Sequence, residues 1–245
     1  SASAAFVNLN AFEGTASLGG WKAGCSANLI AANGVLNSPD YTRTCHCAYQ
    51  NQTSLALVHM PWMNYWTNSN YIWNGKTIRQ LGLNLNAPGD RTSSSNTLWI
   101  DFPNVGGTPS EIPVKMDTSN IKLIRKEPYS VISEENPWII ASAIEGVKTI
   151  EIPLTKEEFN QENKYKVNLY FAELDKKNKG ERVFNVKIQD KPVIENLDII
   201  GETGQADKEL VKSVSGITAN GSLKIELVPL KGNTILSGIE LIMEN

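Results

Sequence analysis

The chain has 245 residues, of which 41% are hydrophobic and 20% charged, and its formal net charge is −3 at pH 7. This length suits one large domain, or one domain with an appendage, and allows a substantial core to be buried. The slightly acidic balance, without a basic tract, argues against nucleic-acid binding. No apolar run approaches the ~18 residues that a membrane-spanning helix needs, so no membrane span is predicted.

The first 76 residues predict short strands and turns. Two apolar runs flank Asn33-Gly34, a pair that favours a tight hairpin because both turn positions need positive φ. The apolar run 54–60, which stops before Pro61, predicts a buried strand. We therefore expect residues 1–76 to form a β-hairpin extension ahead of a larger domain at 77–245.

All three cysteines, Cys25, Cys45 and Cys47, fall in this extension. A disulfide from Cys25 to Cys45 or Cys47 would close a loop of roughly 20 residues and contribute about 3 kcal/mol in the chain-entropy model. Cys45 is narrowly favoured because it is nearer the turn at Pro39-Asp40. Reduced packing and a metal site with His59 stay open as alternatives, although zinc cysteines usually stand further apart than Cys45 and Cys47. A disulfide would place the protein outside the cytoplasm.

Tryptophan is concentrated in the first 100 residues, where charged residues are sparse. Five of the six tryptophans lie there: Trp21, Trp62, Trp66, Trp73 and Trp99. One interpretation is a tightly packed, loop-rich β region. The other is a surface that docks a protein partner or a missing part of a longer polypeptide.

From residue 77 onward, several runs alternate with a period of two, which indicates strands with one buried face. The clearest runs are 150–154, 165–171, 183–188, 223–227 and 239–242, and 97–102 is interpreted as a further strand segment. The polar segment 175–180 predicts a turn that joins 165–171 to 182–188 as an antiparallel hairpin. The predicted fold is all-β, a two-sheet antiparallel β-sandwich.

Several phrases of this region resemble the malectin family of carbohydrate-binding domains. Tyr170-Phe-Ala-Glu173, Arg182-Val-Phe-Asn-Val186 and Leu197-Asp-Ile-Ile-Gly201 occur in the family's order. The resemblance covers roughly residues 77–245 and implies a malectin or galactose-binding-like jelly roll, with 79–86 and 137–142 as its first and middle strands. The segment 24–57 resembles the closing segment of bacterial quinoprotein-like β-propellers, which implies a bacterial protein of the periplasm or cell surface.

The malectin resemblance implies a lectin that binds an oligosaccharide or cell-surface glycan, with Tyr170 and Phe171 as ligand contacts. Aromatic faces stack on sugar rings while nearby polar groups fix the hydroxyls. Alternation points Phe171 inward, so Tyr170 is the stronger candidate. Asp90, Arg91 and Trp99, around the first strands, complete the candidate ligand-binding set. The loop 87–96 lacks the family's tyrosines, and 231–233 lacks its ligand-contacting Asp.

No catalytic motif is evident, and the chain is predicted not to be an enzyme. Asp90 and Asp101 could form a carboxylate pair for glycoside hydrolysis, but turn chemistry explains Asp90 equally well. The same two residues could hold Ca²⁺, although their spacing matches no defined calcium loop. We therefore predict no catalytic residue, cofactor or metal. The alternative function is a structural module that docks a propeller or partner subunit through the Trp-rich half, with sugar binding lost.

Overall fold

The computed structural model describes residues 5–7, 9, 14–18, 29–38, 54–58, 66–69, 71–156 and 162–244. The chain divides into two compact units, Ser1–Thr67 and Asn68–Asn245. Strands dominate the described part of both units, so the predicted all-β class is confirmed.

The first unit contains two small antiparallel sheets among its described residues. β1 (Ala5–Val7) pairs with β2 (Thr15–Ser17), and β3 (Ile30–Ala32), β4 (Val35–Ser38) and β5 (Leu55–Val58) pair in that order. The predicted hairpin is confirmed, because Asn33 and Gly34 adopt φ of 52° and 74° between β3 and β4. The prediction of a buried strand at 54–60 is wrong for β5, since its side chains alternate and Val58 is 62% exposed.

The second unit holds the other described strands and several short helices. Its strands are β6 (Gln80–Leu85), β7 (Arg91–Thr92), β8 (Leu98–Phe102), β9 (Lys115–Met116), β10 (Lys122–Arg125), β11 (Ser142–Glu145), β12 (Thr149–Pro153), β13 (Glu162–Phe171), β14 (Val183–Ile188), β15 (Lys191–Leu197), β16 (Leu210–Asn220), β17 (Ser222–Lys231), β18 (Ile235–Leu236) and β19 (Gly238–Met243). Its helices are a 3-10 helix (Pro128–Ser130), α1 (Pro137–Ile140) and α2 (Ile199–Thr203). Within the described ranges, none of the helices has the length and apolar content to span a membrane.

Eleven of the described strands form one hydrogen-bonded ladder, but β16 and β17 pair only around their turn, at Asn220 and Ser222. Apart from that pair, the ladder is two sheets. Sheet I has the order β15-β14-β17-β12-β9, and sheet II the order β16-β13-β19-β6-β8-β7. Pairing is antiparallel except between β6 and β8, which run parallel. A separate sheet, β10-β11-β18, lies beside them in the fold.

The core lies between sheets I and II. It joins inward residues of both sheets: Phe184, Val186, Ile188, Leu223, Ile225, Ile150 and Ile152 from sheet I, with Leu81, Leu83, Tyr165, Val167, Leu169, Phe171, Ile239 and Leu241 from sheet II. Each is 0–1% exposed, and the rings of Phe171 and Phe184 meet across the core at 5.9 Å. The alternating runs therefore place the apolar side chains as predicted, and the two-sheet sandwich is confirmed.

The predicted hairpin between 165–171 and 182–188 is wrong. β13 pairs with β16 and β19 in sheet II, whereas β14 pairs with β15 and β17 in sheet I. The connection from Phe171 to Val183 therefore crosses from one sheet to the other. Alternation identifies the buried face of a strand but not its neighbour, and both strands bury their faces in the same core.

The prediction of a strand at 137–142 is also corrected, because its first four residues form α1 and β11 begins only at Ser142. Pro137 occupies the first helical turn, where its fixed φ suits a helix and its missing N–H is no loss. Trp138, Ile139 and Ile140 are all buried, so the apolar run does not distinguish a buried helix from a buried strand.

Candidate functional site

The outer face of sheet II carries mostly buried side chains, although the alternation of its strands predicts a polar and exposed face. Cross-strand register defines two adjacent rows across β13, β19, β6 and β8: Tyr170, Gly238, Asn84 and Asp101 in one row, and Asn168, Glu240, Gly82 and Trp99 in the other. Most of these residues are buried. Something other than solvent therefore covers much of the face.

Trp99 supplies part of that cover, and two glycines make room for it. A Cβ at Gly82 would lie 2.1 Å from the Trp99 ring, and one at Gly238 would lie 2.8 Å from it. The indole therefore reaches from β8 over β6 and β19, and its ring centroid lies 5.2 Å from that of Tyr170 at an interplanar angle of 85°. Glycine inside a strand often marks such a close approach.

Trp138 of α1 completes the aromatic group. Its ring meets Trp99 edge to face at 6.0 Å, and the Arg91 guanidinium carbon lies 5.1 Å above its centroid. Such contacts are favourable for the charge and quadrupole of the rings. Trp99 and Trp138 are 1% and 4% exposed, whereas Tyr170 is only partly buried. Of these three rings, Tyr170 is the one that a solute can reach.

Glu240 lies at the centre of the polar part of this face and is 4% exposed. Its carboxylate accepts hydrogen bonds from Thr97 Oγ1 at 2.5 Å, Asn168 Nδ2 at 2.8 Å and the Tyr170 hydroxyl at 3.3 Å. Gln80 Nε2 supports Thr97 at 2.6 Å. Within the described part of the chain, no Lys or Arg nitrogen lies within 4.0 Å of Glu240. This buried carboxylate is held by neutral donors.

Two polar atoms beside this network have no hydrogen-bond partner among the described residues. They are Asn168 Oδ1, an acceptor, and Trp99 Nε1, a donor, and both are buried. A buried polar atom usually finds a protein or water partner, because an unpaired one costs free energy. We define Trp99, Trp138, Asn168, Tyr170 and Glu240, with Arg91 at the edge, as the outer-face cluster.

Acidic side chains border the outer-face cluster near Tyr170. Glu209 directly precedes β16 and accepts from the Ser133 hydroxyl at 2.8 Å, and Glu135 accepts from the Ser94 hydroxyl at 2.9 Å. Burial raises the pKa of the Tyr170 hydroxyl, and the charges of Glu240, Glu209 and Glu135 raise it further. The phenol therefore stays protonated and donates its hydrogen bond at ordinary pH.

Burial also raises the pKa of Glu209, with the neighbouring charges of Glu134 and Glu135 adding to the effect and the Ser133 hydrogen bond opposing it. The carboxylates around Tyr170 therefore make this site negatively charged, and their charges raise the pKa values of Tyr170 and Glu209.

The structure brings together three of the residues predicted for ligand binding: Tyr170, Trp99 and Arg91 all belong to the outer-face cluster. Phe171 does not join them, because it lies on the inner face of β13 and is 0% exposed. Asp90 does not join them either: its carboxylate accepts hydrogen bonds from the backbone of Ser69 and Asp101.

Asp90 and Asp101 tie loops together. The Asp90 carboxylate accepts from the backbone N–H groups of Ser69 at 2.8 Å and Asp101 at 3.0 Å, and Asp101 accepts from Val105 N at 2.8 Å and Asn104 Nδ2 at 3.1 Å. They line a cavity of about 160 Å³ with Ile100, residues 102–104, residues 108–112 and Val114. Burial, followed by the nearby Asp90, raises the pKa of Asp101.

These two carboxylates are fully engaged in local hydrogen bonds, which favours the turn interpretation of Asp90. Among the described residues, no group of three or more His, Cys, Asp or Glu side chains could hold a metal ion.

Three important members of the cluster were not predicted from the sequence: Glu240, Asn168 and Trp138. Glu240 could have been noticed, because it interrupts the apolar run Ile239–Leu241 on a closing strand. The strand glycines Gly82 and Gly238 are a second signal. Trp138 gave no such signal, since it depends on how α1 packs.

The phrases that carry the malectin resemblance prove to be structural in this chain. Arg182 is 2% exposed and binds Glu173, itself 0% exposed, with Nε to Oε2 at 2.6 Å. Arg182 Nη2 lies 3.5 Å from Glu145 Oε2, and Nη1 donates to the Asn233 carbonyl at 2.7 Å. The Asn233 side chain in turn donates to Glu145 Oε1 at 2.9 Å. This ion network holds the crossing between the two sheets and the loop before β18.

Asp198 explains the third phrase. It caps α2 by accepting from Gly201 N at 2.9 Å, and its other oxygen accepts from Gly180 N at 2.8 Å. A Cβ at Gly201 would lie 2.7 Å from the Asp198 carboxylate, so glycine is needed there. One aspartate thereby fixes both the helix and the turn before β14.

Other predictions fall partly outside the described residues. Cys25, Cys45, Cys47 and His59 lie outside them, so the disulfide stays a prediction. Trp21 and Trp62 lie outside as well. Trp73 and Trp99 are 6% and 1% exposed within the second unit, so the burial of these two tryptophans requires no partner.

Comparison with known proteins agrees with this description. The family model described as the malectin domain matches residues 152–243, which is less than half of the chain. No curated protein sequence matches the chain. Nothing in the comparisons supports the propeller resemblance of residues 24–57.

Solved structures share the fold at low identity. A Bacteroides uniformis β-glucuronidase matches with a TM-score of 0.53 and 18% identity, over 68% of this chain and 18% of its own. The ANX2 ectodomain from Arabidopsis thaliana matches with a TM-score of 0.51 and 17% identity, over 68% of this chain and 42% of its own. A crystal structure of the plant receptor-like kinase ANX2 gives 0.52 and 14%, over 69% and 48%.

This chain therefore spans less than half the length of each of these three structures, and its likeness to them concerns the fold. The β-sandwich of the second unit is similar to a malectin domain in sequence over residues 152–243, and the solved structures show that its fold recurs in other proteins.

Proposed function

We propose that the chain is a non-catalytic carbohydrate-binding module that acts outside the cytoplasm of a bacterial cell, with an oligosaccharide or cell-surface glycan as its ligand. The observation that carries the proposal is the outer-face cluster. It combines one reachable aromatic ring, Tyr170, with buried hydrogen-bonding groups directly behind it. Aromatic contact with polar groups of fixed orientation is the pattern that sugar recognition requires.

The two unpaired buried atoms add to this support. A sugar hydroxyl is both a donor and an acceptor, so it can serve Asn168 Oδ1 or Trp99 Nε1 once the side chains that cover these buried atoms move aside. The network through Glu240 fixes the side chains of Asn168 and Tyr170 before a ligand arrives, which lowers the entropic cost of binding. The malectin-like sequence match over residues 152–243 is consistent with this use of the fold.

The remaining parts of the proposal follow from the sequence. Residues 1–76 form an extension that a disulfide from Cys25 to Cys45 or Cys47 closes in an oxidising compartment. Residues 77–245 form the sugar-binding domain, with Tyr170, Trp99 and Arg91 nearest the ligand. Mass spectrometry before and after reduction tests the disulfide, because the oxidised native protein is lighter than the reduced one by two hydrogen atoms.

A pair of substitutions on one strand tests the site. Tyr170 and Tyr165 lie on opposite faces of β13, and each phenol makes one described hydrogen bond, Tyr170 to Glu240 and Tyr165 to the Ile78 carbonyl at 2.9 Å. Tyr170→Phe and Tyr165→Phe remove the same atom. Calorimetric titration with glucose-, galactose- and xylose-based oligosaccharides should show weaker binding only for Tyr170→Phe, and a loss of about tenfold or more for Tyr170→Ala.

Equal affinity for the wild-type protein, Tyr170→Ala and Tyr165→Phe would place sugar binding away from the outer-face cluster. No binding of any glycan at millimolar concentration by the wild-type protein would contradict the lectin function itself. In that case the alternative, a module that docks a larger polypeptide, becomes the better hypothesis, and light scattering of the protein mixed with its cellular partners tests it.

A further inference from the structure

We infer that the proposed carbohydrate site selects neutral sugars and amino sugars and rejects acidic sugars such as uronic and sialic acids. This inference rests on the proposed function and names the class of sugar that the same site accepts. It follows from the charges around the outer-face cluster and from the partners that these charges have.

Three carboxylates, those of Glu240, Glu209 and Glu135, act on the Tyr170 hydroxyl. Glu240 lies 3.3 Å from the Tyr170 hydroxyl, and Glu209 directly precedes β16, whose Val211 pairs with Tyr170. Glu135 lies two residues after Ser133, whose hydroxyl donates a hydrogen bond to Glu209. Within the described residues, none of these three carboxylates has a Lys or Arg nitrogen within 4.0 Å.

Some nearby cations are paired with other carboxylates: Lys126 binds Asp207 and Lys212 binds Glu202, each at 2.5 Å. Arg91 lies over the Trp138 ring at the edge of the cluster and keeps its charge there, and Lys208 directly precedes Glu209. Lys166 shares the outer face of β13 but stands four residues from Tyr170, which is about 13 Å along a strand. That separation exceeds the Debye length of about 8 Å at physiological salt. The charges of Glu240, Glu209 and Glu135 at Tyr170 are therefore compensated only in part.

Buried polar side chains lie beside Tyr170 in addition to these carboxylates. Asn168 is 7% exposed and Trp99 is 1% exposed, and each keeps a polar atom that no described residue satisfies. Both side chains contact the Tyr170–Glu240 group directly, Asn168 through Glu240 Oε2 and Trp99 through the Tyr170 ring. The ligand that reaches Tyr170 thus meets hydrogen-bonding groups set among carboxylates.

The consequence for specificity is electrostatic. A ligand carboxylate at Tyr170 would face like charges in a partly desolvated place, which is unfavourable, whereas an ammonium group would be attracted. A hydroxyl group has no net charge for the carboxylates to attract or repel, and it binds through hydrogen bonds. We expect amino sugars to bind at least as tightly as neutral sugars, and uronic acids about tenfold more weakly.

Two sets of matched sugars provide the test: glucose, glucosamine and glucuronate, and galactose, galactosamine and galacturonate. Each set keeps one ring configuration: the amino sugar carries an ammonium group in place of the 2-hydroxyl, and the uronate carries a carboxylate in place of the C6 hydroxymethyl group. Titration of the isotopically labelled chain, followed by NMR, should give affinities in the order amino, neutral, acidic, with the shifted resonances centred on Tyr170. The preference should shrink as salt rises from about 0.02 to 0.5 M, because ions screen the field.

The double variant Glu135→Gln/Glu209→Gln should narrow the difference between amino and acidic sugars several-fold, since the remaining amides keep their hydrogen bonds to Ser94 and Ser133. Glu151→Gln is the matched control, because Glu151 lies on sheet I and pairs with Lys115. It should leave the order and the affinities unchanged.

The outcomes separate the two ideas. If uronates bind as tightly as the neutral sugars, or if the double variant behaves like Glu151→Gln, the charge selectivity is wrong while sugar binding stands. If none of the six sugars shifts any resonance, the proposed function is wrong, and the specificity falls with it.

Discussion

Two buried carboxylate groups in this domain, around Glu173 and around Glu240, solve the same problem in different ways. Glu173 is neutralised by Arg182, which also binds Glu145 and two backbone carbonyls. Glu240 has no such counter-charge in the described structure and depends on Thr97, Asn168 and Tyr170. The first group connects loops inside the molecule. The second hydrogen-bonds Tyr170, the one aromatic ring of its cluster that is only partly buried.

This difference separates family resemblance from function. The phrases that resemble malectin contain Glu173, Arg182 and Asp198, and these residues hold the sheets, the crossing and α2 in place. Tyr170 is the one residue of these phrases that also belongs to the outer-face cluster. A chain can therefore keep the architecture while its site changes, because function depends on the site and not on the fold.

The largest effect is expected when the paired group loses its cation. Arg182→Ala would leave Glu173 and Glu145 buried without a counter-charge and should lower the free energy of unfolding by about 3–5 kcal/mol. Urea denaturation followed by circular dichroism measures this loss. Lys224→Ala, which removes an exposed partner of Asp190 and Glu226, should leave the stability nearly unchanged, because solvent screens surface ion pairs. Similar losses for both variants would show that the network does not stabilise the fold.

Removing the other carboxylate should cost somewhat less. Glu240→Ala leaves buried donors of Thr97 and Asn168 without their acceptor, and we expect a loss of about 3 kcal/mol in the same denaturation experiment. Glu173→Ala leaves Arg182 buried without its main partner and should be more harmful. If Glu240→Ala were more destabilising than Glu173→Ala, the neutral donors would stabilise their carboxylate more than Arg182 stabilises Glu173, contrary to our expectation.

A glycine substitution tests the aromatic part of the second group. Gly82→Ala places a methyl group where the Trp99 ring lies, and displacement of the ring should cost about 1–3 kcal/mol and weaken sugar binding. Gly106→Ala is the matched control, because its Cβ would meet nothing within 4 Å. Tryptophan fluorescence of the two variants reports whether the indole has moved. An unchanged spectrum for Gly82→Ala would mean that Trp99 does not lie over β6.

The smallest effect concerns pH. Because the pKa of Glu209 is raised in the folded state, the native protein binds this proton more tightly than the unfolded chain does. The contribution to stability is therefore present at low pH and falls as pH rises above about 4.3, the ordinary value, through the raised pKa. The melting temperature of the wild-type protein should therefore fall relative to that of Glu209→Gln as pH rises through this range. Parallel curves would show that Glu209 does not titrate in this way.

The sequence predicted the faces of the strands well but their neighbours poorly. The alternation at Tyr165–Phe171 and Val183–Ile188 identified the inward side chains, because burial follows a period of two whichever strands are adjacent. It could not show that β13 and β14 lie in opposing sheets, since strand pairing depends on the register of distant segments. For the same reason Tyr170 was predictable as an outward aromatic, whereas its contact with Trp99 was not.

Glu240 illustrates the limit for the site. A glutamate between Ile239 and Leu241 is normally an exposed residue of an amphipathic strand, and only tertiary structure buries it. Its burial follows from Trp99, which crosses the space left by Gly82 and Gly238. The cluster therefore combines four distant segments, around residues 91–99, 138, 168–170 and 240, that no local pattern connects.

The position of β19 in sheet II has a consequence for biosynthesis. β19 lies between β13 and β6, and its Leu241 pairs with Leu81 of β6. As the chain leaves the ribosome, β6 and β8 emerge long before their central neighbour exists, so their apolar faces have no complete sheet to join. Closing such a long loop is slow, and exposed strands are prone to aggregate meanwhile. Release of residues 238–243 is thus the step that commits the nascent domain to its native sheet.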